Sequence, residues 1–359
     1  MKHPTTAPDV VLLSPPNVTD LLAIPETRRT AIAALRAALR PGMTVALSTH
    51  INADGDGCGS QTALARLLAQ MDIKAFIVNP TPWPELFRWM LGDDVEDRSA
   101  KGAAALKGVD RLIVLDISDI GRLGLLADAV RALPQDALVI DHHLPGKEPP
   151  GRTMLSDTKA CATAELVFDF ARECGLEITT AIAQSLYTSL VTDTGGFRFG
   201  NTSPRCLSVA AQLLTHGVNP EAMYARIYGS VPLGRLFLLR DALDTLEVDL
   251  PAELAWVTVP AGALERHQVS SEDLDGVAEY PRSIAGVSLA LLFRDLGHGK
   301  VKVSFRSIAG VNVNALAKVF GGGGHARASG ALIEGTIDEV KTRVLDEARR
   351  LRAEGALAD

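Results

Sequence analysis

Apolar and polar positions change period several times along the chain, and each change predicts an element. Residues 26–40, "ETRRTAIAALRAALR", space their apolar positions three and four apart, which predicts an amphipathic helix. Beyond it, short β-rich apolar runs at 43–48, 73–78, 111–116 and 137–140 alternate with helical patterns. This βαβ rhythm predicts an α/β fold with a mostly parallel sheet flanked by helices on both faces. From about 160 to 230 the pattern is largely helical, through "CATAELVFDFARECG", "TTAIAQSLYTSLVTDTGG" and "SPRCLSVAAQLLTHG". A helical stretch at 231–245 reads as a connector. The strand-and-helix rhythm then restarts with "LAWVTVPA", "VSLALLFRD" and "GKVKVSFRS", and a charged helix follows at 336–353. The expected organisation is a larger α/β domain over 1–230, a connector, and a smaller α/β domain over 246–359. An active site is expected in the cleft between the two. The first 25 residues match no motif and read as an extension.

Composition narrows the class. A chain of 359 residues, 47% hydrophobic and 22% charged, suits a globular protein of two domains. No apolar run approaches the roughly 18 residues that span a bilayer, and "VVLL" near the N-terminus is too short for a secretory segment, so the cytoplasm is the expected compartment and no membrane partner is expected. Cys58, Cys161, Cys174 and Cys206 lie far apart without a CxxC pair, which predicts reduced, mostly buried thiols. A net charge of −7 argues against stable binding of long duplex nucleic acid. A small phosphorylated ligand would still need local positive charge, which bound metal ions can supply.

Candidate chemistry begins at "STHINADGDGCGS", residues 48–60, where His50, Asp54 and Asp56 follow a strand and precede a helix. Its glycines read as a turn that lets backbone approach a charged group. Three further places end an element in acids or histidines: "RLIVLD" at Asp116, "ALVIDHH" at Asp141, His142 and His143, and "LYTSLVTD" at Asp193. The C-terminal ends of parallel strands lie on one edge of a sheet, so these groups are expected to converge. Clustered carboxylates repel, and a divalent cation offsets that repulsion. Asp and His donors without Cys point to Mn²⁺, with Mg²⁺, Co²⁺ or Zn²⁺ as substitutes. Six ligands suggest two ions, the arrangement in which a bridging hydroxide attacks phosphorus.

"HINADGDGCGS", "VLDISD", "VIDHH" and "LVTDTGGF" resemble, in order, the four motifs of the DHH phosphoesterases, and "FGGGGHARASG" is similar to the signature of the DHHA1 domain that follows them. The resemblance covers roughly residues 40–350. It implies that His50, Asp54 and Asp116 hold one Mn²⁺, that Asp56, Asp116, His142 and Asp193 hold the other, and that Asp116 bridges. It also places His143 beside the attacked phosphate or the leaving oxygen, giving His143 and Asp116 catalytic roles.

In the second domain, Gly322, Gly323 and Gly324 read as a backbone nest for a phosphate, with His325, Arg327 and Arg306 adding charge. Lys302, Lys318 and Arg282 read as surface charges. Aromatic residues are only 5% of the chain, so a long stacking platform for single strands is not evident. Within the family, the architecture most resembles the nano-RNase/pAp-phosphatase subfamily, which implies cleavage of short RNA or DNA oligonucleotides of about two to five nucleotides and removal of the 3′-phosphate of pAp. Three other readings stand beside it: a RecJ-like exonuclease on longer strands, a linear or cyclic dinucleotide phosphodiesterase, and a nucleotide-binding regulatory module without catalysis. A homodimer is the oligomer considered.

Overall fold

The computed structural model describes residues 21–358 apart from 230, 275 and 309, so of the expected N-terminal extension only 21–25 fall among the described residues. The chain divides into two compact units, 1–229 and 230–359.

In the first unit, strands β1 (Thr44–Ser48), β2 (Lys74–Ile77), β3 (Glu96–Asp97), β4 (Arg111–Leu115), β5 (Leu138–Asp141) and β6 (Thr153–Ser156) form a wholly parallel sheet in the order β3-β2-β1-β4-β5-β6. Its strands alternate between two cores. Val45, Leu47, Ile113 and Leu115 face one apolar cluster, while Ala46, Leu112 and Val114 face the other. Both faces are covered, which is why these strands read as continuous apolar runs. The first face carries helices α1 (Glu26–Ala37), α2 (Gly55–Gln70), α4 (Thr163–Glu173), α5 (Thr180–Asp193), α6 (Pro204–Leu214) and α7 (Pro220–Ile227), and the second carries α3 (Ala127–Arg131) with short 3₁₀ turns. The strand order reverses direction between β1 and β4. A crevice opens at such a reversal beyond the strands' carboxyl ends.

The glycines of "DGDGCGS" have a different task from the expected turn. Gly55, Gly57 and Gly59 lie inside α2, none with a positive φ, and the left-handed residue is Asn52 at φ 56°. A Cβ at Gly55 would collide with the Thr192 side chain, and one at Gly59 with the Ser185 carbonyl oxygen, both on α5. The glycines therefore let two buried helices approach backbone to backbone.

The described end of the extension is packed. Ile24 is buried, and the carbonyls of Leu21 and Ala23 accept from Arg205 Nη1 at 2.9 and 2.6 Å.

The second unit begins with α8 (Leu233–Leu243), where a connector was expected. Leu238 and Ala242 are buried with Val257 and Val259, so this helix is part of the unit's own core. Strands β7 (Glu247–Asp249), β8 (Leu254–Val259), β9 (Leu289–Asp295), β10 (Lys300–Ser307), β11 (Gly323–His325) and β12 (Ala328–Glu334) form a mixed sheet in the order β11-β12-β10-β9-β8-β7. Helices α9 (Ala263–His267), α10 (Glu279–Arg282), α11 (Val313–Val319) and α12 (Ile337–Ala353) complete it. Val301, Val303 and Phe305 of β10 pack under α11 and α12. Among the described residues no helix is long and apolar enough to cross a membrane.

The close approach of α2 and α5 makes Gly59 a sensitive position. Gly59→Ala should destabilise the protein by about 1–3 kcal/mol, the usual cost of overpacking. Thermal unfolding checks this, and an unchanged melting temperature would contradict the packing described.

Candidate active site

Each candidate residue stands where a strand or helix of the first unit stops. His50 lies two residues beyond β1, Asp116 directly follows β4, His142 and His143 follow β5, Asp56 is in the first turn of α2, and Asp193 ends α5. Asp54 caps α2, its side chain accepting from the backbone N–H groups of Asp56 and Gly57 at 3.0 and 3.1 Å. Asp116 adopts φ 63°, a conformation Asp tolerates better than most residues, while its N–H remains bonded to Ile140 O at 2.9 Å.

These ends converge. His50 Nε2 stands 3.3 Å from Asp116 and 3.7 Å from Asp54. His142 Nε2 stands 3.7 Å from Asp56, 3.6 Å from Asp116 and 3.7 Å from Asp193. Each of the sets His50–Asp54–Asp116, Asp56–His142–Asp193 and Asp116–His142–His143 offers donor atoms within 4.8 Å of one another.

Neighbouring groups fix which nitrogen each histidine presents. His50 Nδ1 lies 2.9 Å from Ile51 O and His142 Nδ1 3.2 Å from Ala160 O. A carbonyl only accepts, so both Nδ1 atoms carry the proton and, in the neutral ring, Nε2 presents a lone pair to the carboxylates. His142 Nε2 is buried and makes no hydrogen bond among the described residues. A buried nitrogen lone pair facing three carboxylate oxygens has nothing to accept from, and a divalent cation satisfies all four groups together. The donor set therefore fits a metal.

The electrostatics agree. Burial, with Asp56 close by, holds the Asp116 carboxyl well above the usual carboxylate range. Burial and the charges of Asp56 and Asp54 push Asp193 up to about 8. Burial works against a charge on His50, yet Asp116 and Asp54 outweigh it and raise its pKa to about 10. His50 in turn overcomes burial to lower Asp54 to about 2. Without a cation, protons take the place of positive charge.

The segment Ala160–Ala164, absent from the sequence expectations, braces this cluster. The N–H groups of Thr163 and Ala164, at the start of α4, donate to Asp56 at 2.7 and 3.1 Å, and Thr163 Oγ1 donates to Asp116 Oδ1 at 3.1 Å. Cys161 O accepts from Asn201 Nδ2, which also donates to Asp193 Oδ2 at 3.1 Å. Glu165 holds the segment by accepting from Cys161 N at 3.0 Å, and is itself held by Arg28 and Arg205 at 2.8 and 3.0 Å. Asp141, expected to converge with the others, is fully buried and accepts from His143 Nδ1 at 2.8 Å, which leaves Nε2 of His143 as its free ring nitrogen.

In the second unit the glycine cluster runs into a hairpin. Gly323 and Gly324 belong to β11 and pair with Gly330 and Ser329 of β12, and a Cβ at Gly322 would collide with the Gly330 carbonyl oxygen. His325 pairs with Ala328, which pairs with Arg306, so His325 and Arg306 share one face of the sheet. Arg327 sits in the turn between β11 and β12, its carbonyl accepting from Ser307 N at 3.1 Å. Arg306 lies 3.8 Å from Glu279 and donates to Phe305 O at 3.0 Å. With Arg294, Lys302, Ser304 and Glu279 it lines a cavity of about 70 Å³. Lys302 is exposed, the surface charge expected, and lies on the rim of this recess.

The raised pKa values set a sign for stability. His50 contributes stability that is complete below its ordinary pKa and is lost as pH rises toward about 10. Asp193 keeps its proton in the fold up to about pH 8, whereas the unfolded chain releases it near its ordinary value of 3.8, so rising pH across that window favours unfolding. Both effects run the same way. Metal-free protein should lose melting temperature between about pH 6 and pH 9, and the gain on adding Mn²⁺ should grow over the same range. Calorimetry with and without chelator checks this, and a gain that is largest at acidic pH would contradict it.

Family models match both units: "DHH family, N-terminal domain" over residues 44–190 and "DHHA1 domain" over residues 256–354. The chain is 33% identical over 309 residues to the bifunctional oligoribonuclease and PAP phosphatase NrnA of Thermus thermophilus, covering 84% of this chain and 88% of that one. It is 27% identical over 299 residues to the protein of the same description from Bacillus subtilis, covering 81% and 89%. An exopolyphosphatase-related protein from Bacteroides fragilis superposes with a TM-score of 0.84 at 25% identity, covering 91% of this chain and 98% of that one. On the order of its motifs, the convergence of their acids and histidines, and these relatives, the chain belongs to the DHH family and carries a DHHA1 domain after its DHH domain.

Proposed function

We propose that this protein is a metal-dependent phosphoesterase that degrades RNA oligonucleotides of about two to five nucleotides to mononucleotides and removes the 3′-phosphate of pAp. The observation that carries the reading is the cluster around His142 Nε2, whose unpartnered lone pair meets three carboxylates. The relatives described as oligoribonucleases and PAP phosphatases support the choice of substrate.

Two divalent ions, Mn²⁺ by the donor chemistry, would be held by His50, Asp54 and Asp116 on one side and by Asp56, His142 and Asp193 on the other, with Asp116 between them. Bound there, they would neutralise phosphate charge and acidify water. The chain supplies the rest. Thr163 and Ala164 hold the Asp56 carboxylate through backbone N–H groups, so its oxygens keep their places as charge builds on phosphorus. His143, oriented by Asp141, is the proton donor to the leaving oxygen: Nδ1 is bonded to the buried carboxylate, and Nε2 delivers the proton. In the second unit, Arg306 and His325 on one sheet face are the groups we assign to a further substrate phosphate, with Arg327 and the backbone of Gly322, Gly323 and Gly324 beside them.

Short substrates follow from charge. A long strand needs a basic groove tracking its backbone, and this chain carries a net charge of −7. Turnover of a labelled RNA ladder alongside pAp, with Mn²⁺ and with chelator, tests the reading. The rate constant kcat/KM should be flat or falling from dinucleotide to about two dozen nucleotides, with a shallow salt dependence, and chelator should abolish it. A rate that climbs steadily with length and collapses with salt would favour a RecJ-like exonuclease instead.

Asp116→Asn should lower kcat/KM by at least about a hundredfold, since it removes a charge from the His50–Asp54–Asp116 set that also lies 3.6 Å from His142 Nε2. Circular dichroism should be unchanged. Wild-type turnover by this variant would rule out the proposed arrangement.

A further inference from the structure

Aromatic residues are scarce in this chain, yet three of its four tyrosines line one cavity in the first unit. The cavity has a volume of about 600 Å³ and is walled by Tyr187, Phe197, Arg198, Glu221, Tyr224 and Tyr228. Tyr187 and Phe197 meet edge to face at 6.2 Å, and Tyr224 and Tyr228 lie 5.2 Å apart. Tyr224 is 64% exposed and Tyr228 40%, so two of these rings do not serve the core.

Its place in the fold ties it to the candidate site. Val191 and Gly195, which flank Asp193 on either side, both line the cavity. After Asp193, the residues Gly195, Gly196 and Phe197 take φ 57°, 71° and 64°, turning the chain back so that Phe197 and Arg198 face Tyr187 of α5. Tyr187 precedes Asp193 by six residues, about 9 Å along the helix, so the cavity lies beside the cluster on the same element.

We propose that this cavity binds a nucleobase of the substrate, stacked on Tyr224, the more exposed of the two rings, while the phosphate of the same nucleotide lies at the His–Asp cluster. The chemistry of the walls selects a base over other ligands. Aromatic faces suit its π-surface. Arg198, whose Nε is fixed on Gly195 O at 2.6 Å, and Glu221 offer one donor and one acceptor for its polar edge. A phosphate would meet the Glu221 carboxylate there and gain a single cation. Stacking is indifferent to which base is presented, so the site would accept several sequences while still requiring a base.

The proposal rests on the phosphoesterase reading for the identity of the ligand, and binding separates the two. Calorimetry on the full chain with Mn²⁺ would compare AMP with ribose 5-phosphate, which keeps sugar and phosphate but lacks the base. AMP should bind on the order of tenfold more tightly, Tyr224→Ala should bring the two affinities together, and Tyr224→Trp should retain the preference. Ribose 5-phosphate affinity should be unchanged in both variants. Equal affinities in the wild type, including no measurable binding of either, or a preference that survives Tyr224→Ala, would overturn the proposal. Should the wild type prefer AMP but turn over no oligonucleotide, the phosphoesterase reading would fail and the base site would stand.

Discussion

The structure of the first unit is organised around one electrostatic constraint: Asp56, Asp116 and Asp193 are brought within 4 Å of one buried imidazole nitrogen. Carboxylates so placed repel, and the fold meets this in two ways. Hydrogen bonds from the start of α4 and from Asn201 disperse part of the charge on Asp56 and Asp193. Protons on His50 and Asp193 carry part of the rest, as their raised pKa values record. A cation at the same place would replace those protons, and that exchange is the physical content of the proposed metal dependence.

The brace behind this cluster is a buried ion network. Arg28 of α1 and Arg205 of α6 both hold Glu165 and Asp169 of α4. Burying such groups is costly, and removing one partner leaves another without compensation. What the network secures is the position of the turn before α4, whose carbonyls orient His142 and Asn201 and whose N–H groups hold Asp56. Arg205 also takes the carbonyls of Leu21 and Ala23, which joins the end of the N-terminal extension to the same brace.

Much of this was legible in the sequence, for local reasons. Strands buried on both faces are short apolar runs, so β1, β2, β4 and β5 fell within a residue or two of their expected places, and every clustered group except Asp193, which ends α5, followed such a run. Edge strands β3 and β6 carry too few apolar residues to stand out. The brace was invisible because its ion pairs join residues 36 to 141 positions apart, and no local spacing encodes them. Glycine was ambiguous for the same reason. In "DGDGCGS", which read locally as a turn, it serves contact between α2 and α5, and in "GGGGH", which read as a phosphate nest, it serves β-pairing across a hairpin. Low aromatic content spoke against a long stacking platform, but composition averages over the chain and says nothing of the local cluster around Tyr187, Tyr224 and Tyr228.

The central claim is that the converging acids and histidines are ligands of divalent ions, and metal stoichiometry tests it most directly. Equilibrium dialysis against Mn²⁺ followed by elemental analysis should give two ions per chain in the wild type. His142→Ala should retain the ion of the His50–Asp54–Asp116 set and lose the other. Two ions bound equally well after His142→Ala, or none in the wild type, would contradict the account.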